Sequence, residues 1–246
     1  MHEESAWAPE HPAVSIIIPV LREAEGANAL VEHVLALSPA GTAEILMVDG
    51  SENGDTIKAL RHKEIKTLLA PRGRARQMNA AAQAASGDIL LFLHADTRLP
   101  QDALSLVTQA ATDGCVGGAF TLRFDTDSPG MRLIAAVANL RSQLTRAPYG
   151  DQAQFFLRDY FLAIGGFRDM PLMEDLEIMT RIRRRADRIR ILDAAVTTSA
   201  RRWREEGLLR CTLRNWALRL AYHAGISAHR LAAFYSFGRT TTEKRP

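Results

Sequence analysis

The residues best placed to do chemistry in this chain are acidic ones that directly follow apolar runs. Ile89-Leu90-Leu91-Phe92-Leu93 reads as a buried strand, and it runs straight into His94-Ala95-Asp96-Thr97. In open α/β sheets, ligands bind beyond the carboxyl ends of the strands. A carboxylate there, among small and polar neighbours, suits a hard cation that bridges phosphates. Asp96 has a second reading, as a cap for the turn or helix after Pro100, and both stand. Two other strand ends have the same character. Val14 to Val20 runs on into Leu21-Arg22-Glu23, and Glu44 to Val48 into Asp49-Gly50-Ser51. If these strands are parallel, their ends share one edge of the sheet with Asp96 and outline a nucleotide site. Asp49 there can accept an N–H from a base edge or cap its own turn.

Two later segments carry charge at helix starts. Arg72-Gly73-Arg74-Ala75-Arg76-Gln77-Met78-Asn79 opens a helix. Helix N-termini attract anions and arginines add to that attraction, so a diphosphate is the natural guest. The segment is not a P-loop, and no GxGxxG follows the first strand. Met173-Glu174-Asp175-Leu176-Glu177 puts three carboxylates in a first helical turn. The helix dipole favours them there, and one of them could equally serve as a general base toward a hydroxyl.

The elements that must position these residues follow from periodicity. Strands are predicted at 14–20, 44–48, 67–69, 89–93, 117–124, 155–158 and 189–192. Helices are predicted at 24–37, 56–62, 74–85, 101–112, 131–144 and 176–185. The strand–helix alternation of the first half predicts an α/β fold, a Rossmann-like, mostly parallel sheet flanked by helices, with both halves sharing one sheet. Near the end, Leu209, Leu213, Trp216 and Leu220 follow i, i+4, i+7, i+11 with Arg210, Arg214 and Arg219 alongside. This stripe predicts a helix packed on its own domain or on a second copy, with a membrane surface as the alternative.

Composition bounds the partners. The chain has 246 residues, 47% hydrophobic and 24% charged, enough for a sizeable core. Its two cysteines, Cys115 and Cys211, form no zinc pattern and no disulfide framework. The start is acidic without an apolar run, and no stretch of 18 apolar residues occurs. A cytoplasmic location is expected, with the inner face of a membrane as a peripheral alternative. Residues 181–246 hold 16 Lys and Arg against 5 Asp and Glu, while residues 1–180 hold 15 against 23. The basic end suits an anionic membrane or a phosphorylated ligand. Nucleic acid is not expected, because no aromatics are interleaved with the basic residues as a stacking surface requires.

The ordered set Ile16-Ile17-Ile18-Pro19 with Glu23, Val48-Asp49-Gly50, Phe92 to Asp96, Gly165-Gly166-Phe167 and Glu174-Asp175 resembles an inverting glycosyltransferase of family 2 with a GT-A fold, over roughly residues 14 to 205. Gly73 to Asn79, His94-Ala95-Asp96-Thr97 and Gly150-Asp151-Gln152 resemble the narrower arsenosugar-biosynthesis subgroup. The resemblance implies a single GT-A domain at 13–205, with a nucleotide-binding half at 13–115 and an acceptor half at 116–205. It leaves an arm at 1–12 and a helical extension at 206–246. It implies that Asp49 contacts the nucleobase, Pro19 and Glu23 shape the nucleoside pocket, and Asp96 binds a divalent cation, Mn²⁺ or Mg²⁺. Arg74 and Arg76 would lie near the donor. Asp175 would be the base, with Glu174 beside it. The donor would be a UDP- or GDP-linked sugar, UDP favoured, and the acceptor a small molecule or lipid-linked.

Three departures from the family pattern stand out. His94 occupies the first acidic place of the metal motif, Gly54-Asp55-Thr56 replaces Asp-Gly-Thr, and Ser199 replaces the Gln that precedes Arg-Trp in processive members. The last predicts transfer of one sugar at a time. Two competing readings are a catalytically impaired scaffold that binds nucleotide or a partner, and a nucleotidyltransferase.

Overall fold

The structure is a computed structural model that describes residues 13–38 and 42–240. The expected arm at 1–12 and the last six residues of the expected extension lie outside the described residues. Eight strands form one sheet. They are β1 (Val14–Val20), β2 (Ala43–Asp49), β3 (Lys66–Leu69), β4 (Ile89–Phe92), β5 (Thr97–Arg98), β6 (Gly117–Phe124), β7 (Phe155–Leu157) and β8 (Ile189–Thr198). The spatial order is β3-β2-β1-β4-β7-β6-β8-β5. β3, β2, β1 and β4 are parallel neighbours. β7 then runs antiparallel to both β4 and β6, and β8 resumes parallel to β6.

Side chains alternate across this sheet with the period of two that a pleated strand imposes. Ile16, Ile18 and Val20 of β1 face one core with Met47 and Leu91, whereas Ile17 faces the other with Leu46, Val48, Leu90 and Phe92. The first core is closed by α1 (Ala24–Leu37), α4 (Ala103–Thr112) and α5 (Pro129–Thr145). The second is closed by α3 (Arg74–Ala84), α6 (Arg158–Ala163) and α7 (Glu174–Arg184). β1, β2 and β4 are therefore covered on both faces, which explains their near-continuous aliphatic runs.

The structure departs from the sequence expectation at several elements. The helix expected at 56–62 is one turn, α2 (Asp55–Lys58). Asn28 of α1 ends it: its side-chain amide donates to the Ala59 carbonyl and accepts from the Arg61 N–H, both at 2.9 Å. β8 runs six residues beyond the expected Leu192, past a register shift opposite Phe120 and Thr121, where the Thr121 hydroxyl bonds at the carbonyls of Asp193 and Ala194. β5, which pairs with the end of β8, and α6 have no clear pattern in the sequence. α8 (Arg201–Glu206), α9 (Leu208–His223) and α10 (Ala228–Thr240) complete the chain. α9 is the helix that the apolar stripe predicts, but the stripe does not pack on its own domain. The residue α9 buries is Cys211, while Trp216 is 53% exposed. α9 docks instead through the side next to the stripe, where Thr212 accepts from the Trp203 ring N–H and Arg214 pairs with Glu206. Among the described residues no helix is long and apolar enough to cross a membrane.

One buried side chain ties the strand ends together. Gln77, on α3, donates from Nε2 to the carbonyls of both Val20 and Val48 at 2.8 Å. Gly50 passes so close that a β-carbon there would lie 2.8 Å from Gln77 Cδ. Gln77→Leu removes both donations and leaves the Val20 carbonyl with the Gly50 N–H alone, at a cost of about 1–3 kcal/mol for two lost buried hydrogen bonds. Urea unfolding is expected to show that loss, with an unchanged m-value.

Candidate functional site

The carboxyl ends of the parallel strands open onto two cavities. The smaller, about 660 Å³, lies beyond β1, β2 and β3 and is lined by Leu21, Arg22, Gly50, Ser51, Glu52, Asn53, Asp55, Leu69, Ala70, Pro71 and Arg72. The larger, about 910 Å³, lies beyond β4 and brings together Arg74, His94, Asp96, Asp151, Glu174 and Asp175. Residues from α5 and α9 form its outer wall.

Asp96 sits in the turn between β4 and β5. It does not cap the following helix, since Asp102 holds the N-cap position of α4. Its backbone carbonyl accepts from Ser199, while its exposed carboxylate has only a 3.5 Å contact from the Thr97 hydroxyl. That carboxylate is available to a ligand. His94 is two residues earlier, and burial, then Arg74 and Arg202, push its pKa well below the ordinary 6.5. It is a neutral imidazole at neutral pH, the form that binds metals.

Asp175 is fixed in the second turn-forming segment of the cleft. It lies at the start of α7, where Oδ1 accepts from the Leu176 N–H at 2.8 Å and Oδ2 from the Gly150 N–H at 2.7 Å. Gly150 opens a short 3₁₀ turn, Gly150–Gln152. A β-carbon on it would stand 3.0 Å from His94 Nε2 and 3.4 Å from Asp175 Oδ2, so glycine is what lets this turn approach the carboxylate and the imidazole. Glu174 is buried, and its carboxyl is pushed up by burial first, with Arg74 opposing and Asp175 reinforcing. Its partner is Arg74, at 3.5 Å. Glu177, the third carboxylate of this turn, is structural: it pairs with Arg168 and Arg181, and Arg181 also donates to the carbonyls of Ile164 and Gly166.

Arg74 heads α3 and stands where Glu174, Asp175 and Asp96 act on it together; burial opposes its charge, but the three carboxylates raise its pKa. The rest of the Gly73–Asn79 segment is scaffolding. Asn79 exchanges two hydrogen bonds with the backbone of Phe167, at 2.7 and 3.0 Å, which holds the Gly165-Gly166-Phe167 loop. Phe167 in turn packs edge-on to Phe92 at the end of β4. Arg76 points away and is forked onto Asp169 at 2.9 Å on the surface, lining neither cavity.

The other expected nucleoside residues also sit behind the cavity walls. Asp49 is fully buried, with Oδ1 accepting from the Ser51 N–H and Oδ2 from the Thr56 and Ile57 N–H groups. It shapes the loop and caps α2. Burial opposes its ionisation, yet these hydrogen bonds win and hold its pKa below the ordinary 3.8. Pro19 and Glu23 flank Leu21 and Arg22, which do line the small cavity, but neither lines it themselves; the Glu23 N–H is taken by the Thr56 hydroxyl.

In the sequence Asp151 is only the middle residue of the Gly150-Asp151-Gln152 motif. In the structure Asp151 faces the large cavity, and its buried Oδ1 has no hydrogen-bond partner. Burial raises its pKa, with Arg219 and Arg141 opposing and Asp175 and Asp96 reinforcing. Arg219, which the sequence places only as a flank of the α9 stripe, also lines this cavity. It stacks on the Tyr149 ring at 4.0 Å, as Arg141 does at 3.5 Å. A stacked guanidinium pair on one tyrosine has no signature in local sequence.

The profile of glycosyl transferase family 2 matches residues 15–171. The chain belongs to glycosyl transferase family 2. The match takes in the strand ends, Arg74 and Asp96 and stops just short of Glu174 and Asp175, which the fold brings into the same cleft. A search among curated proteins returns no match. Among solved structures, the chain is similar to the mannosyltransferase PcManGT from Pyrobaculum calidifontis in complex with GDP-Man and Mn²⁺. The identity is 20% and the TM-score 0.62, covering 96% of this chain and 82% of that one. It is also similar to S. aureus TarS 1–349, at 15% identity and TM-score 0.59, covering 85% and 65% respectively. These likenesses show the GT-A fold, a curled mixed sheet flanked by helices, in agreement with the glycosyltransferase family.

The depressed pKa of Asp49 makes a stability prediction with a definite sign. A group with a lowered native pKa contributes stability that is present above its unfolded value and lost as pH falls through the native one. Wild type is expected to lose stability as pH drops below 3.8. Asp49→Asn is expected to cost about 1–3 kcal/mol at neutral pH and to flatten that acid limb in a pH series of thermal melts.

Proposed function

We propose that this glycosyltransferase moves one sugar at a time, with inversion, from a nucleoside-diphosphate donor to an acceptor hydroxyl. The observation that carries the reading is the pairing of a free Asp96 carboxylate and a fixed Asp175 carboxylate on one cleft, with Arg74 between them in charge. The nucleoside occupies the smaller cavity beyond β1 and β2. Its diphosphate crosses the N-terminus of α3, where helix amides and Arg74 receive negative charge. Uridine is the favoured base. Guanosine is the alternative, supported by the GDP-Man held by the similar mannosyltransferase.

Among the described residues no three of His, Cys, Asp and Glu gather into a ready cation cage. The donor set nonetheless fits a cation that arrives with its substrate, because such ions commonly take one or two carboxylates plus phosphate oxygens. Asp96 would hold it and His94 is the second candidate, a ligand that favours Mn²⁺ over Mg²⁺. When bound, a divalent ion neutralises charge that develops on the departing diphosphate.

The remaining work falls to protein groups. The acceptor oxygen attacks the anomeric carbon from the face opposite the diphosphate and passes its proton to Asp175. As the new C–O bond forms, the bond to the diphosphate breaks and Arg74 receives the leaving charge. The Gly150 N–H holds Asp175 in place for this. The unpartnered Oδ1 of Asp151 is the group we assign to an acceptor hydroxyl. The acceptor is a small molecule or is lipid-linked. An arsenosugar pathway rests on the Gly73–Asn79, His94–Thr97 and Gly150–Gln152 motifs alone.

A screen of nucleotide sugars for donor hydrolysis with Mn²⁺ or Mg²⁺ tests the reading, and no turnover with any donor would favour the impaired-scaffold alternative. Asp175→Asn is expected to bind donor normally and transfer about 10²–10⁴-fold more slowly. Asp96→Ala is expected to abolish the metal-stimulated part of donor affinity in calorimetry without unfolding. Asp151→Asn is expected to raise the acceptor KM while donor hydrolysis stays intact.

A further inference from the structure

Two helices at the mouth of the cleft expose apolar rows with the same spacing. On α5 the row is Leu133, Val137, Leu140 and Leu144. On α9 it is Leu209, Leu213, Trp216 and Leu220. Both follow i, i+4, i+7, i+11, and all eight residues are between 42% and 75% exposed. The helices run side by side in the same direction. Near their starts, Gly130 approaches Leu208 so closely that a β-carbon would lie 2.8 Å from its Cδ2. Eleven residues further along each, Arg141 and Arg219 stack on the same Tyr149 ring. The rows meet the cleft itself, since Leu133, Val137, Trp216 and Leu220 line the cavity that holds Asp96 and Asp175.

We propose that the face formed by α5 and α9 docks on an anionic lipid bilayer, which sets the mouth of the cleft against the membrane surface. Soluble monomers rarely expose apolar patches of this extent. An apolar row with tryptophan, bordered by arginines, is the pattern of a helix that lies in the headgroup plane. The charge agrees. Neither α5, α9 nor α10 contains an acidic residue, while Arg132, Arg210 and Arg230 stand exposed on them. A second copy fits less well. A two-fold contact sets a patch against itself, so these arginine-rich, acid-free helices would face their own like charges without a counter-charge. Anionic headgroups supply one along the whole face. The proposal stands apart from the catalytic reading, because docking is a property of the surface.

The test is sedimentation of the full chain with vesicles of mixed phosphatidylglycerol and phosphatidylcholine, set against pure phosphatidylcholine, with light scattering of the protein alone. Binding to the anionic vesicles that weakens steeply with salt is expected. Leu140→Glu with Leu213→Glu alters exposed residues outside the cavity lining. This double variant is expected to keep its circular dichroism and donor hydrolysis while its vesicle affinity falls at least about tenfold. Three results would overturn the proposal. They are no wild-type binding to anionic vesicles at low salt, equal binding by the double variant, and equal binding to pure phosphatidylcholine. A wild-type dimer that the variant dissolves, with no vesicle binding by either, would assign the face to a second copy instead.

Discussion

The cleft is organised around one guanidinium set among three carboxylates. Glu174 and Asp175 come from the start of α7 and Asp96 from the turn after β4, and without a cation between them the three would repel. Glu174 shows the cost of that arrangement most clearly: burial and then its neighbour Asp175 disfavour its charge, and Arg74 opposes both without cancelling them. The same Arg74 lies at the positive end of α3, so its charge and the helix dipole are assembled at one point of the cleft. The position of α3 therefore governs the site. Gln77, one turn on, anchors the helix to the ends of β1 and β2, and Asn79 anchors the loop that leads to α7. A single short helix thus positions the ends of the two strands that border the smaller cavity, the loop that leads to Asp175, and the guanidinium set among the carboxylates.

The chemistry divides along the sheet. The parallel strands β3, β2, β1 and β4 present a run of carboxyl ends, and the smaller cavity opens there. Insertion of the antiparallel β7 beside β4 interrupts that run and makes room for the Gly150–Gln152 turn, which reaches Asp175 from outside the parallel strands. The wall of the larger cavity is then completed by α5 and by α9, a helix that lies beyond the segment matched by the family profile. The smaller cavity thus lies within the segment that the family profile matches, and the larger one takes part of its wall from beyond it.

Apolar faces play two distinct roles here. The two faces of the sheet are closed by helices and hold the molecule together. The rows on α5 and α9 are left open beside the cleft. On α9 the inward side is a narrow strip around Cys211, and the docking contacts are polar ones to Trp203 and Glu206. A helix fastened by its polar side and open on its apolar side has the opposite arrangement to a core helix. That inversion is what marks the face as a surface with a use.

Much of the fold was legible in the sequence. β1, β2 and β4 are aliphatic runs that only burial on both faces accommodates, and their polar ends had to lie on one edge once the strands were parallel. The places of Asp96 just after a strand and Asp175 at a helix start were legible for the same reason, because each follows a local signal. What the sequence could not assign was which polar group is left open to the cleft and which serves the scaffold. Asp49 and Arg76 carry charges as suggestive as those of Asp96 and Arg74, yet backbone amides consume the first and Asp169 the second. Glu177 looks like Asp175 until Arg168 and Arg181 are seen to hold it. Asp151 and Arg219 gained their places only through the packing of α5 and α9 around Tyr149. Hydrophobic period and helix-start chemistry are local and readable along the chain, whereas the partner that satisfies or frees a charge is chosen by residues far away in sequence, which only the folded structure brings within a hydrogen bond.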